Sequence, residues 1–350
     1  MDNNIATKCR IPAIDALKTI AIIGVLIIHT CSYGYSCGIG TFDWCSVVFW
    51  SCLARASVPI FLMCSGAVLL DPEKELSIRT LFSKHLLRIV IAMLIWAMAY
   101  KVYWLCDSGE FTVQFLILSL KEVFLFKQEF HLYYLHIMIL VYIFLPITRV
   151  LTAHKTKREL QYFLAVWFVL GIVYPTAINF WPFTLLSGIP LQWLINMTYA
   201  SIGYSVLGFY FQKYAARKPK LYIAVFAIGF SCVFGGTLAM SISQGSLYEL
   251  FLGGMSPGVS LMAIGLFGFV TFSMKQGASG DNFIFKISKA SFCIYLIHLF
   301  FLYIFNPVGL TVSILPYFIL IPVVAIANLA CSYLVYILLS YIPIVKKYLV

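Results

Sequence analysis

From Phe318 to Leu339 the chain reads "FILIPVVAIANLACSYLVYILL", 22 residues without one charged side chain. Such a run leaves a backbone few choices. About 20 apolar residues match the hydrocarbon core of a bilayer. There every N–H and C=O must be bonded within the protein, which selects helices or a closed barrel. Barrel strands would be alternating segments of ~10 residues, and these runs do not alternate. Runs of the same kind recur along the whole chain. Of its 350 residues 62% are hydrophobic and 11% charged, against roughly a quarter charged in a soluble globular chain. Too few charges exist to make a solvated surface. The fold class is therefore all-α, a polytopic membrane helix bundle.

Ten spans are expected, over residues 13–33, 46–70, 87–106, 132–150, 161–180, 194–212, 221–240, 254–274, 290–306 and 316–342. The stretch "FTVQFLILSLKEVFLF" (Phe111–Phe126) is short and interrupted by Lys121 and Glu122. It reads as an interfacial amphipathic helix instead. No cleavable signal peptide is expected, because the first run lacks a small-residue cleavage site and continues as a full span. Residues 1–350 read as one membrane-embedded domain, without repeats or linkers.

Basic residues set the orientation. Of 24 Lys and Arg, 19 fall on one set of loops and termini, such as Lys74, Arg79, Lys84 and Arg88 before the third span; only Lys101, Lys121 and Lys127 fall on the other. Positive loops stay inside, so both termini are expected in the cytoplasm. This bias and attraction to anionic lipid account for the net charge of +11. No basic run is interleaved with aromatics on a soluble surface, so a nucleic-acid partner is not expected. The ten cysteines show no C-x-x-C spacing and read as small packing residues. No ligand cluster of recognisable spacing suggests a metal.

Lys18 and Arg55 remain, inside the spans. An ionisable group at the bilayer centre costs roughly 2.5–3.5 kcal/mol or more, so it has a partner or a task. In "IDALKTIAIIGVLIIHT" (Ile14–Thr30), Lys18 and His29 stand eleven residues apart. On a helix that is about 20° past three turns and roughly 16 Å along the axis, hence one face at two depths. Plain accounts exist beside a functional one: Lys18 can snorkel or pair with Asp15, and His29 can hydrogen-bond a neighbouring helix. Arg55 lies near the middle of "FWSCLARASVPIFLMCSG" (Phe49–Gly66), too deep to snorkel. It must face a polar interior, where its fork suits a phosphate or carboxylate. Pro59 is expected to kink the helix beside it, and Ser65 and Gly66 to allow close approach. Further polar positions gather towards the outer side: His131, Tyr133, Tyr134 and His136 in "KQEFHLYYLH", Tyr248 and Glu249 in "SQGSLYEL", and His298 in "SFCIYLIHLF". On the cytoplasmic side "LFSKHLLRIV" supplies Lys84, His85 and Arg88.

Four of these segments, in order, resemble the membrane acyltransferase-3 family. The first span resembles that family's basic residue, ten intervening residues and histidine, with Lys18 in place of the usual arginine. "RASVPIFLMCSG" is similar to its second-span signature, "HLYYL" to its His-Leu-Trp-Phe-Leu motif, and "ISKASFCIYLIH" to its late-span motif. "SQGSLYEL" and the short length are most similar to the enterobacterial common antigen O-acetyltransferase branch. The resemblance implies a multi-pass enzyme of the bacterial inner membrane. It would carry acetyl from cytosolic acetyl-CoA, as co-substrate, to a hydroxyl of a cell-envelope glycan or lipid-linked sugar. Larger members carry a fused extracytoplasmic domain that the sequence to Val350 does not contain, so action alone or with a partner is expected.

Acyl transfer to a hydroxyl needs a base, an oxyanion stabiliser and a grip on the donor. His29 is expected as base or as acyl carrier, with Lys18, Arg55 and Glu249 completing the catalytic set. Lys84, Arg88 and Ser65 are expected to hold the donor, and His131, Tyr134, Tyr248 and His298 the acceptor. The rival class is a transporter of a small carboxylate, an amino acid or a glycan intermediate, similar to the membrane domains of serine racemases. There Arg55 would bind the carboxylate and His29 relay protons.

Overall fold

The computed structural model describes residues 11–185, 201–274, 282–309 and 315–349. Among them nine helical stretches are long and apolar enough to cross a membrane. They fall on nine of the ten expected spans. The expected span 194–212 begins outside the described residues, which resume in a helix at Ser201–Lys213.

The first span is one continuous helix, α1 (Pro12–Cys31). The second is two: α2 (Phe42–Ala54), capped by the Thr41 side chain, and α3 (Ser57–Leu69). A π-helical turn at Leu81–Leu86 leads into α4 (Leu87–Asp107). The expected interfacial helix is α5 (Val113–Phe124), which is not among the nine candidate spans. It exposes Val113, Ile117, Leu118 and Phe124. A hydrogen bond from Lys101 of α4 at 2.6 Å ties it down and holds the Glu122 carboxyl below the usual carboxylate range. Next come α6 (Tyr133–His154) and α7 (Lys157–Trp167), the latter opened by a capping box of Thr156 and Glu159. The remaining long helices are α8 (Ser201–Lys213), α9 (Pro219–Gln244), α10 (Pro257–Ser273), α11 (Asn282–Phe305) and α12 (Tyr317–Ser340).

In lipid, helices gain nothing from hiding apolar surface, so close contact depends on small residues and polar bonds. The bundle shows both. The central helix α1 packs against α2, α3, α10, α11 and α12. It is tied to α11 by Thr19, whose hydroxyl donates to the Ile284 carbonyl at 2.9 Å, and by Ser288, which donates to Asp15 at 2.8 Å. Helices α3 and α8 also approach closely. A Cβ on Gly66 would collide with the Ser205 backbone, and one on Gly208 with the Met63 carbonyl. Backbone lies on backbone at both points, with no flexible side chain to yield. All nine described cysteines are free thiols.

Gly66→Ala or Gly208→Ala is therefore expected to cost about 1–3 kcal/mol through overpacking. Thermal unfolding of the detergent-solubilised protein, followed by loss of monodisperse material, should show a clearly lower midpoint for either variant.

Candidate active site

The outer part of the site begins with a broken helix. Pro59 has no N–H to give and its ring crowds the carbonyl four residues back, that of Arg55. The chain answers by ending α2 at Ala54 and restarting at Ser57. The Arg55 N–H bonds to the Cys52 carbonyl at 3.2 Å, and the Ser57 hydroxyl donates to the Ala54 carbonyl at 2.6 Å. Arg55 itself donates from Nη2 to the Tyr35 hydroxyl at 3.1 Å and to Ser51 Oγ at 3.0 Å. Those two hydroxyls also bond to each other. Among the described residues Arg55 makes no ion pair, and its Nε is buried without a hydrogen-bond partner. It lines a cavity of about 250 Å³ together with His29, Tyr35, His131, Tyr134 and Tyr295.

Beside this cavity three histidines from three distant helical segments converge. Ring centroids lie 4.9 Å apart for His29 and His298, 5.3 Å for His131 and His298, and 6.3 Å for His29 and His131. His131 and His298 are completely buried, while His29 is half-buried at the cavity wall. His298 Nδ1 lies 2.7 Å from the Tyr295 carbonyl. A carbonyl only accepts, so the hydrogen-bond network puts the proton on Nδ1 and the lone pair on Nε2. That Nε2 is buried without a partner, as are both ring nitrogens of His131. The backbone around them is pinned. Asn328 donates to the His298 carbonyl at 3.0 Å, the Tyr295 hydroxyl donates to the His131 carbonyl, and Tyr100 donates to the Leu296 carbonyl at 2.8 Å. No group of three or more His, Cys, Asp or Glu among the described residues is arranged to hold a metal ion.

A second cavity, also about 250 Å³, opens lower on α1, lined by Lys18, Ser65, His85, Arg88, Tyr134 and Tyr295 among others. The π-helical turn at Leu81–Leu86 contains His85 and resets the helical face just before Arg88. The Arg88 guanidinium sits over the Phe292 ring at 5.2 Å. Tyr134 and Tyr295 line both cavities and meet edge to face with centroids 5.4 Å apart. They form a partition two rings wide between a lysine–arginine chamber and a histidine–arginine chamber.

Residues 11–337 match the acyltransferase-3 family model, described as an acyltransferase domain. The chain belongs to the acyltransferase-3 family. No curated protein and no solved structure matches it. The molecule is accordingly a multi-pass membrane acyltransferase, in keeping with its nine apolar helices among the described residues.

The acyltransferase fold gathers most of the residues singled out in the sequence, at two depths. His29, Arg55, His131 and Tyr134 meet at the outer cavity, and Lys18, Ser65, Arg88 and Tyr134 at the inner one. His298 stands behind His29 rather than on the cavity wall. Three others stand apart from both linings. Lys84 and Glu249 are exposed. Tyr248 is half-buried, its N–H bonded to Ser241 Oγ and its ring packed on Phe251. The outer loop reaches the outer cavity through Leu252 and Gly254 instead. Sequence reading missed Tyr295, Tyr35 and Ser51. Tyr295 stands three residues before His298 and Ser51 four before Arg55, each therefore on the same helical face; Tyr35, in a turn, carried no such mark.

Arg55 costs stability by its burial and is held by hydroxyls alone. Replacing a buried ion by an apolar chain of similar length is often neutral or stabilising. Arg55→Met is expected to unfold at the wild-type temperature or above it, yet to lose acyl transfer by about 100-fold or more. Thermal unfolding and initial rates on the same preparation check both halves.

Proposed function

We propose that this acyltransferase is an O-acetyltransferase, moving acetyl from cytosolic acetyl-CoA to a hydroxyl of a cell-envelope glycan or lipid-linked sugar. Its setting is the bacterial inner membrane. The observation that carries this reading is the pair of cavities along α1, one bearing Lys18 and Arg88 and the other His29 and Arg55, with Tyr134 and Tyr295 common to both. The positive-inside bias turns the lysine–arginine chamber to the cytoplasm. Ammonium and guanidinium groups there suit the phosphates of CoA through charge-assisted hydrogen bonds. CoA is far larger than this chamber, so its acyl end enters while its nucleotide stays at the mouth, near the exposed Lys84.

The outer chamber supplies the chemistry. His29 takes the proton of the acceptor hydroxyl as its oxygen attacks the thioester carbonyl. Arg55 faces the carbonyl oxygen where negative charge develops, with no carboxylate among the described lining residues to neutralise it. Collapse of the adduct breaks the C–S bond, and His29 returns the proton to the sulfur. Ester and free CoA thiol leave in equal amounts. The outer loop "SQGSLYEL" favours an acceptor akin to that of the enterobacterial common antigen branch, with Tyr248 and Glu249 at the route of entry.

One feature also fits a carrier. Two chambers divided by an aromatic partition would serve alternating access to a small carboxylate held by Arg55. Thioester turnover separates the two. Protein in proteoliposomes is given radiolabelled acetyl-CoA and an envelope lipid extract rich in polyprenyl-linked glycans. Label is expected in the lipid extract with wild type and to be absent with His29→Ala of normal expression and folding. Label transfer by folded His29→Ala would remove His29 from the mechanism; no transfer by folded wild type would favour the carrier.

A further inference from the structure

The mechanism above leaves two buried imidazoles unused. One of them stands in a relation to His29 that packing alone does not explain. His298 is fully enclosed, with its Nδ1 committed to the Tyr295 carbonyl at 2.7 Å and its Nε2 left without a partner. An apolar side chain would fill the same space without stranding a polar atom in a dry interior. The stranded atom carries a lone pair, since the proton is on Nδ1. The ring that carries it lies 4.9 Å, centroid to centroid, from His29, with planes inclined at 42°.

The need for such an acceptor follows from what surrounds His29. Once His29 has taken the acceptor's proton it is an imidazolium, with two N–H groups and a positive charge. Arg55, another cation, lines the same cavity, and the lining holds no aspartate or glutamate among the described residues. A histidine base is ordinarily steadied by a group that accepts its second N–H, most often a carboxylate. His298 Nε2 is a neutral group of that capacity on the side away from the cavity. Its placement is fixed from both ends: Asn328 holds the His298 backbone carbonyl at 3.0 Å and is itself bonded to Ser332 at 3.0 Å.

We infer that His298 is the positioning residue of this transfer: its Nε2 accepts the second N–H of the His29 imidazolium and orients the opposite nitrogen into the outer cavity. No proton is lost in this arrangement. The acceptor hydroxyl gives its proton to His29, the second N–H is shared with His298 during attack, and the first proton passes to the CoA sulfur when the C–S bond breaks. The inference rests on the reading of His29 as the base.

The test compares three variants at His298 by initial rates with acetyl-CoA and the envelope lipid extract. His298→Gln sets an amide oxygen near the place of Nε2, whereas His298→Met has similar bulk and no acceptor. His298→Asn keeps a donor for the Tyr295 carbonyl and lacks the outer acceptor. The Met and Asn enzymes are expected to lose kcat roughly tenfold or more, with KM for acetyl-CoA unchanged, and the Gln enzyme to recover most of that loss. A merely structural role would move neither the split nor the rescue. Wild-type kcat in folded Met or Asn enzyme would overturn the inference, as would a folded Gln enzyme as slow as the Asn enzyme. If His298→Met fails to fold, the Asn and Gln pair decides alone. Inactive wild type, or active His29→Ala, would instead overturn the reading on which the inference rests.

Discussion

The rest of the site follows from the cost of keeping one guanidinium inside a membrane. Arg55 is too deep to reach water along its own helix. The bundle provides for it with a helix break, two hydroxyls and a cavity. The break exists because Pro59 cannot complete the turn, and it delivers Arg55 to the end of α2, where helical geometry no longer dictates its direction. Tyr35 and Ser51 satisfy part of the fork, and the remaining charge is left open to the cavity. A carboxylate beside Arg55 would have made the protein easier to fold and the cavity useless for an anionic centre.

That cavity would be isolated from the inner one if Tyr134 and Tyr295 were fixed, and continuous with it if they were absent. Edge-to-face rings at 5.4 Å are a compromise between the two. Each ring is also held by neighbours: Tyr134 lies against Phe61, and Tyr295 bonds through its hydroxyl to the His131 carbonyl. The partition is thus tied to the histidine cluster it guards. A change at the rings reaches His131 through one hydrogen bond.

Much of this was legible in the chain and some was not, for definable reasons. The spans were legible because hydrocarbon thickness fixes run length. The interfacial α5 was too, because Lys121 and Glu122 interrupt an already short run. The break at Arg55 was visible in Pro59, and the alignment of Lys18 with His29 in their spacing on one continuous helix. Convergence was not visible. His29, His131 and His298 lie on segments about a hundred or more residues apart, and periodicity within a helix carries no record of which helix lies opposite. Tyr295 resembled the many aromatic residues that line any bundle. Lys84 and Glu249 mark where depth is not legible. Their loops indicate a side of the membrane, but charge in a loop does not say whether a side chain turns towards a cavity, and both turn out to solvent.

The contact of α3 on α8 has a mechanical meaning. Gly66 and Gly208 bring two helices together with no side chain between them, so neither can rotate or slide without driving backbone into backbone. The pair behaves as a stator. Any widening of the aromatic partition must then come from the other wall at the Tyr134 ring, because the Tyr295 hydroxyl is bonded to the His131 carbonyl and α11 is bonded to α1 and to Asn328. The moving part of the enzyme would be that single ring, and the fixed part the frame that holds both His298 and Arg55.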